Sequence, residues 1–207
     1  MDPDEIASAE KALQRLDPVL GAYIRRQGSI VREPRRDYFA SLVRAIIGQQ
    51  VSVIAAAKIY ERFEKATGLD PRRTVRLQET DTKAIGLSAS KTRYIKDVAQ
   101  HFIKDSAVFN HLETLHDDDV IKELTEIKGI GKWTAQMFLM FTLIRPDVFA
   151  PDDAGLQRAI KTIYGFKDTP SRQELEEFAR RWKPYRTVAC WHLWRSLETK
   201  PLEVEIM

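Results

Sequence analysis

Cysteine is nearly absent from this chain of 207 residues, which contains only Cys190. A single thiol cannot form an internal disulfide, a zinc site of two or four cysteines, or a cysteine-ligated iron–sulfur cluster. The four histidines have no spacing typical of metal ligands. Charge of one sign is also lacking, because 33 basic and 30 acidic residues leave a net charge of +3. That value neither demands nor excludes a nucleic-acid partner.

Long hydrophobic runs are missing as well. The longest stretches without a charged residue, 45–57 and 133–144, have 13 and 12 residues, too few to span a bilayer. The acidic N-terminus lacks the basic and apolar regions of a secretory signal. We therefore expect an intracellular protein without a membrane partner, in the cytoplasm of a prokaryote or the nucleus of a eukaryote.

The apolar residues that are present recur with a period of 3.6, and no run alternates as a half-buried strand would. Prolines follow Asp2 and Asp17, at positions typical of a first helical residue. Four glycines stand where left-handed C-caps would end helices: Gly28, Gly48, Gly68 and Gly165. The sequence therefore predicts an all-α fold of about ten short helices.

The most informative stretch runs from Leu124 to Ala135 and reads LTEIKGIGKWTA. It predicts a helix, a turn bracketed by Gly129 and Gly131, and an apolar helix from about Lys132. Glycines bring a ligand close to the backbone, and a helix start exposes N–H groups, so such a turn can cradle a phosphate. The G-x-G pattern alone favours the plainer alternative, a helix-to-helix turn.

An aspartate that opens another helix changes this interpretation. Asp153 follows Gly131 by 22 positions and begins the pattern D-x-x-[VL]-x-R with Leu156 and Arg158. The combination resembles the helix-hairpin-helix (HhH-GPD) DNA glycosylases of base excision repair. Segments 43–52, 86–93 and 181–194 are most similar to the DNA-3-methyladenine glycosylase II group, which removes alkylated bases. The resemblance covers about residues 10–197 and favours the compact form, without an extra N-terminal domain.

This resemblance implies an all-α, two-lobed architecture with the active-site cleft between the lobes. One lobe would span residues 33–147 and contain the hairpin. The other would combine residues 1–32 with 148–207 and carry the aspartate and the C-terminal helices. The expected partner is double-stranded DNA that contains damaged bases, bound by a monomer.

The resemblance assigns catalysis to Asp153. Cleavage of an N-glycosidic bond builds oxocarbenium-like positive charge on the sugar, which a nearby carboxylate stabilises. A helix N-terminus would favour the ionised form. Asp152 is the alternative, but the motif register fits only Asp153, so we expect Asp152 to be a cap or a solvated side chain.

Aromatic residues are implied for the base pocket. Alkylated purines are cationic good leaving groups, so stacking and cation–π attraction can bind them. By resemblance, Trp133 and Trp194 line this pocket, with Met137 where some relatives have tyrosine. Members that also cleave the backbone carry a lysine nucleophile at the position of Trp133. Here Lys132 precedes that position, about 100° away around the helix, which predicts a glycosylase without lyase activity.

DNA contacts are implied at two turns. A residue of the turn Gly48–Ser52 inserts into the duplex when the nucleotide flips out, and we expect Gln50, with Gln49 beside it, to form this wedge. A polar inter-helix turn is the alternative. Four hairpin residues would bind DNA phosphates: Gly129, Gly131, Lys132 and Thr134.

No cofactor is expected for the chemistry, and the lone cysteine excludes the iron–sulfur branch of the family. Backbone carbonyls of Thr125, Ile127 and Ile130 match positions that bind a monovalent or divalent cation in relatives. Two other functions stay open: a glycosylase for oxidised or mismatched bases, and a helix-hairpin-helix DNA-binding module without chemistry.

Overall fold

The computed structural model describes residues 1–197, with Val53 described by its backbone alone. Within this part of the chain the secondary structure is helical, without a β-strand, which confirms the predicted fold class. There are twelve α-helices and two short 3-10 segments, Asn110–Thr114 and Ala179–Trp182. The α-helices are α1 Pro3–Leu16, α2 Pro18–Gln27, α3 Tyr38–Gly48, α4 Val53–Thr67, α5 Pro71–Arg76, α6 Glu79–Ile85, α7 Ala89–Lys104, α8 Asp117–Thr125, α9 Lys132–Phe141, α10 Ala154–Ile163, α11 Arg172–Phe178 and α12 Arg186–Ser196.

Short polar side chains determine where most of these helices begin. Asp2, for example, accepts a hydrogen bond from the backbone N–H of Glu5, whose side chain bonds back to the Asp2 N–H. This reciprocal pair is a capping box, and it satisfies two N–H groups that otherwise lack helical partners. Side chains also cap other helices, each by accepting a hydrogen bond from the backbone of the first turn: Asp17, Asp37, Ser52, Asp70, Ser88, Asp153 and Ser171.

One predicted left-handed C-cap was wrong. Gly28, Gly68 and Gly165 have positive φ, as expected at C-caps, but Gly48 is the last residue of α3 and has no positive φ. The left-handed residue in this turn is Gln50, with φ of 55°. Sequence rules assign such a conformation to glycine because a Cβ atom makes it costly.

The described chain divides into two units. Unit 1 consists of Met1–Pro34 and the residues from Ile144 onward, and it contains α1, α2 and α10 to α12. Its core includes the fully buried Trp182, Leu13 and Leu20. The resemblance predicts that residues up to 147 belong to the other lobe. Ile144 belongs to unit 1, where its carbonyl accepts a hydrogen bond of 2.9 Å from the N-terminal amino group.

Unit 2 spans Arg35–Leu143 and contains α3 to α9. Its core includes the fully buried Leu42, Phe63 and Phe138. The ring of Phe138 packs edge-on against Tyr38, with ring centroids 5.3 Å apart. Helix α3 packs against both α7 and α9 here, and turns at the ends of α3 and α9 carry Gln50 and the hairpin glycines. None of the described helices is both long and apolar enough to cross a membrane.

Candidate functional site

Asp153 in unit 1 is the N-cap of α10. Its Oδ1 accepts a hydrogen bond of 2.8 Å from the backbone N–H of Leu156, and the side chain is half-buried. The sequence predicted this helix start from the motif. The carboxylate therefore lies at the positive end of a ten-residue helix, where a negative charge is stabilised.

Trp194 holds the same carboxylate oxygen. Its indole Nε1 donates to Asp153 Oδ1 at 2.8 Å from the last turns of α12. The resemblance predicts a role for Trp194 in the base pocket, but nothing in the sequence indicates this hydrogen bond. Two donors on one oxygen fix the plane of the carboxylate.

Gly155 is a site residue that sequence reasoning missed. A Cβ atom at this position would lie 3.0 Å from Asp153 Oδ1 and 3.0 Å from Trp194 Cδ1. Both distances are shorter than ordinary van der Waals contact. The absence of a side chain therefore lets the indole approach the start of α10.

The neighbouring Asp152 has a different environment. It is exposed and pairs with Arg172, whose Nη1 lies 3.1 Å from Asp152 Oδ2. This agrees with the solvated side chain expected from the sequence. A surface pair of this kind contributes little to stability.

The start of α12 anchors the segment that leads to Asp153. Arg186 donates Nε to Asp147 Oδ1 at 2.7 Å and Nη2 to Oδ2 at 2.9 Å, a bidentate ion pair. The backbone N–H of Val148 donates to Thr187 Oγ1 at 3.0 Å. Cys190, one turn farther along, is buried. Burial and the nearby Asp153 charge raise the pKa of its thiol, so it is a poor nucleophile.

The predicted hairpin is present in unit 2 as the turn between α8 and α9. Gly129 has φ of 90°, and a Cβ atom there would collide with the ring of Tyr94. Gly131 is different. It has extended backbone, with φ of −92°, and a Cβ atom would have nothing within 4 Å. Only the first glycine has positive φ, while the second leaves open space at the start of α9.

The first two turns of α9 carry several predicted residues. Lys132 is exposed, Trp133 is half-buried, and Met137 is buried with 8% exposure. Thr134 is also buried, and its Oγ1 accepts a hydrogen bond of 3.0 Å from Gln49 Nε2. The Thr134 hydroxyl is therefore used inside the protein, and a phosphate contact of this residue stays a prediction.

The two glutamines of the turn between α3 and α4 have opposite orientations. Gln50 is exposed and left-handed. Gln49 is half-buried, and its Nε2 donates to the carbonyl of Gly129 at 3.1 Å as well as to Thr134 Oγ1. Both amide protons of Gln49 are therefore used within the protein, where they join the turn to the hairpin. The wedge role stays a prediction, and Gln50 is the residue of the pair whose side chain is exposed. We call residues Gln49–Ser52 the wedge turn.

A second residue missed by sequence reasoning lies on α7. Lys91 lies in segment 86–93, which carries part of the resemblance, but the sequence alone assigns it no role. Its Nζ donates to the carbonyls of Ile47 and Gln49, each at 2.8 Å. Lys91, Gln50 and the hairpin residue Gly129 line one hollow of about 660 Å³ within unit 2.

Metal-binding side chains do not cluster in the described part of the chain: no group of three His, Cys, Asp or Glu residues could hold an ion. His111 pairs with Glu123, and His192 with Glu10. Among the predicted carbonyl ligands, that of Ile127 accepts the Ile130 N–H at 3.0 Å. A carbonyl oxygen has a second lone pair, so this bond is compatible with the hairpin cation, which stays a prediction.

Comparison with known proteins places this geometry in context. Residues 43–184 match the model of the HhH-GPD superfamily base excision DNA repair protein. The chain is 29% identical over 195 residues to the alkylbase DNA glycosidase-like protein mag2 of Schizosaccharomyces pombe, covering 90% of this chain and 92% of that one. Some curated relatives are longer, and the chain spans 58% and 60% of two of them.

Solved structures give the same result. The 3-methyladenine DNA glycosylase Mag1 of Schizosaccharomyces pombe, in complex with abasic DNA, has a TM-score of 0.86 and 27% identity, covering 95% of this chain and 100% of that one. A DNA-3-methyladenine glycosidase from Bacillus halodurans has a TM-score of 0.74 and 36% identity, covering 92% and 89%. Since the family match spans well over half of the chain and includes both the hairpin and Asp153, the protein belongs to the HhH-GPD superfamily of base excision DNA repair proteins.

Proposed function

We propose that the protein is a monofunctional DNA glycosylase that removes alkylated purines, such as 3-methyladenine and 7-methylguanine, from double-stranded DNA. The observation that carries this proposal is the Asp153 carboxylate, capped by the Leu156 N–H and held by the Trp194 indole on one oxygen. A DNA-binding module without chemistry needs neither this carboxylate nor its support. The names of the relatives, which refer to alkylated bases, support the substrate class.

In the proposed reaction, the bond between the base nitrogen and sugar C1′ breaks, and the base leaves with the electron pair. Positive charge grows on the sugar, and the Asp153 carboxylate stabilises it. Water then forms the new bond to C1′, and Asp153 accepts its proton. A fixed carboxylate is effective here because it need not reorganise as the charge develops.

Other residues support binding. The half-buried Trp133 ring offers a stacking face for a cationic base, and Met137 follows it one turn later. Gln50 would fill the space left by the flipped nucleotide. Lys132 and the open backbone at Gly131 are available to a phosphate, since no side chain caps the start of α9. Family members that also cleave the backbone carry a lysine nucleophile at the position of Trp133. The tryptophan here supports base hydrolysis without strand cleavage.

The decisive experiment compares two adjacent carboxylates. Asp153→Asn should reduce base release from methylated DNA by at least a hundredfold, because the amide cannot stabilise positive charge, and retain binding to an abasic duplex. The matched control is Asp152→Asn, which removes only the exposed pair with Arg172 and should release bases at the wild-type rate. Full turnover by Asp153→Asn would refute the mechanism.

A substrate panel tests the class of base. Release of alkylated purines, with no borohydride-trapped covalent complex, is the expected result. Activity confined to duplexes with 8-oxoguanine or an A·G mismatch would favour the oxidised-base or mismatch function. Binding to every duplex without release of any base would indicate a non-catalytic module.

A further inference from the structure

One lysine, Lys91, supports the wedge turn through two hydrogen bonds. Lys91 Nζ lies 2.8 Å from the carbonyl oxygens of Ile47 and Gln49, the last residue but one of α3 and its C-cap. Carbonyls at a helix end have no partner in the helix and carry its negative dipole end, so an ammonium group binds them strongly. Lys91 is half-buried, and water competes less for these bonds there.

The same helix supports the hairpin. Tyr94 of α7 packs where a side chain at Gly129 would otherwise be. Gln49 joins the two turns through its bonds to the Gly129 carbonyl and Thr134 Oγ1. The wedge turn, the hairpin and α7 are therefore held together inside unit 2. Within this assembly, Gln50 combines an exposed side chain with a left-handed backbone conformation.

We propose that Lys91 is a positioning residue for DNA-bound base flipping, acting through Gln50 rather than on the substrate. The Gln49 carbonyl and the Gln50 N–H belong to one planar peptide unit. Because Lys91 holds that carbonyl, it fixes the orientation of the peptide plane that precedes Gln50. The fixed peptide plane maintains the left-handed conformation of Gln50. Such conformations persist only when the surroundings hold them. This inference rests on the proposed function, in which Gln50 enters the duplex.

The chain provides a matched control on the same helix. Lys96 Nζ donates to the carbonyl of Leu77, the C-cap of α5. Lys96→Met removes a lysine cap of the same chemistry away from the wedge turn. Lys91→Met removes the bonds to Ile47 and Gln49 and keeps a side chain of similar length.

A double-mutant cycle tests the proposal. Single-turnover base release from methylated duplex should slow about tenfold in Lys91→Met, the size expected for lost bonds from a charged group. In a Gln50→Ala background the same change should have less than about a twofold effect, since the residue through which it acts is gone. Lys96→Met should stay within about twofold of its parent in both backgrounds.

An equal loss from Lys91→Met in both backgrounds would overturn the proposal, because Lys91 would then act independently of Gln50. So would a loss from Lys96→Met as large as that from Lys91→Met. Should Lys91→Met fail to fold, as judged by its thermal transition, Lys91→Gln keeps a polar group at this position without the positive charge and enters the same cycle with the same expected result.

A binding measurement separates failure of this proposal from failure of the proposed function. Fluorescence of 2-aminopurine opposite an abasic site reports disturbance of base stacking without base release. A wild-type protein that changes this signal but releases no base would contradict the glycosylase function only. Lys91→Met should then still reduce the signal about tenfold at a fixed protein concentration below saturation, and an unchanged signal would reject the positioning role.

Discussion

At the scale of single residues, the site around Asp153 depends on a missing side chain. Gly155 lies in the first turn of α10, between Asp153 and the Trp194 indole that donates to it. A glycine inside a helix usually lowers stability, because its backbone loses the most freedom on folding. The close approach of the indole explains why glycine is suited to this position.

Gly155→Ala should therefore reduce activity while leaving stability nearly unchanged. The methyl group would lie 3.0 Å from both Asp153 Oδ1 and Trp194 Cδ1, so the indole must shift and the carboxylate loses its fixed orientation. We expect base release to slow about tenfold, since small misplacements of catalytic groups are costly. The free energy of unfolding should change by less than about 1 kcal/mol, because the helix propensity of alanine offsets the crowding. Single-turnover kinetics and urea denaturation measure the two effects, and wild-type release would contradict the account.

At the scale of elements, the two hairpin glycines offer a matched pair. Gly129 has positive φ and contacts the Tyr94 ring, whereas Gly131 has extended backbone and open space around it. The two positions look equivalent in the sequence. Their roles differ: glycine at position 129 is needed for the turn to fold, whereas glycine at position 131 leaves the backbone accessible from outside.

Alanine at each position should give opposite results. Gly129→Ala should lower the free energy of unfolding by about 1–3 kcal/mol, through strain and the clash with Tyr94. Gly131→Ala should change it by less than about 0.5 kcal/mol and should weaken binding to an abasic duplex, because its Cβ would occupy the open space proposed for a phosphate. Urea denaturation and fluorescence anisotropy distinguish the two. Equal losses of stability would contradict this division of roles.

Local signals explain why much of the helical architecture could be predicted. Helix starts follow from caps such as Asp153, and the hairpin follows from its glycines, since these effects involve neighbours in sequence. The same reasoning failed at Gly48, where the left-handed residue is Gln50, because tertiary bonds from Lys91 fix this turn. The Lys91 bonds span 42 and 44 residues and the Trp194–Asp153 bond spans 41. Pairs so distant leave no periodic pattern to detect.

At the scale of the whole molecule, bonds between the chain ends complete unit 1. Glu10 in α1 and His192 in α12 are 182 positions apart, and both are buried. Glu10 Oε1 lies 2.9 Å from His192 Nε2 and accepts the Ile30 N–H at 2.8 Å. Gln27 Oε1 lies 2.8 Å from His192 Nδ1. One polar cluster therefore joins α1, α2 and the helix that carries Trp194.

This cluster makes the stability of the protein sensitive to acid. Burial by itself raises the pKa of Glu10, but the hydrogen bonds from His192, Ile30 and Ser29, with the His192 charge, outweigh it and leave the pKa below its usual 4.5. A carboxyl whose pKa is lower in the folded than in the unfolded state adds stability above the unfolded value and loses it as pH falls through the folded one. The contribution of Glu10 should therefore be complete at pH 7 and decline below about pH 4.5.

Glu10→Gln should reveal this contribution directly. It replaces a buried carboxylate by an amide, so we expect it to lower the free energy of unfolding by about 1–3 kcal/mol at pH 7. The difference from wild type should be smaller at pH 4, which lies below the unfolded pKa, because protonation there reduces the advantage of the carboxylate. Urea denaturation at both pH values measures it. The control Glu177→Gln changes an exposed carboxylate paired with Arg180 and should differ from wild type by less than about 0.5 kcal/mol throughout. If Glu10→Gln lowers the free energy of unfolding equally at pH 7 and pH 4, the Glu10 carboxylate does not make stability depend on pH. Any loss of stability in acid would then arise from other groups.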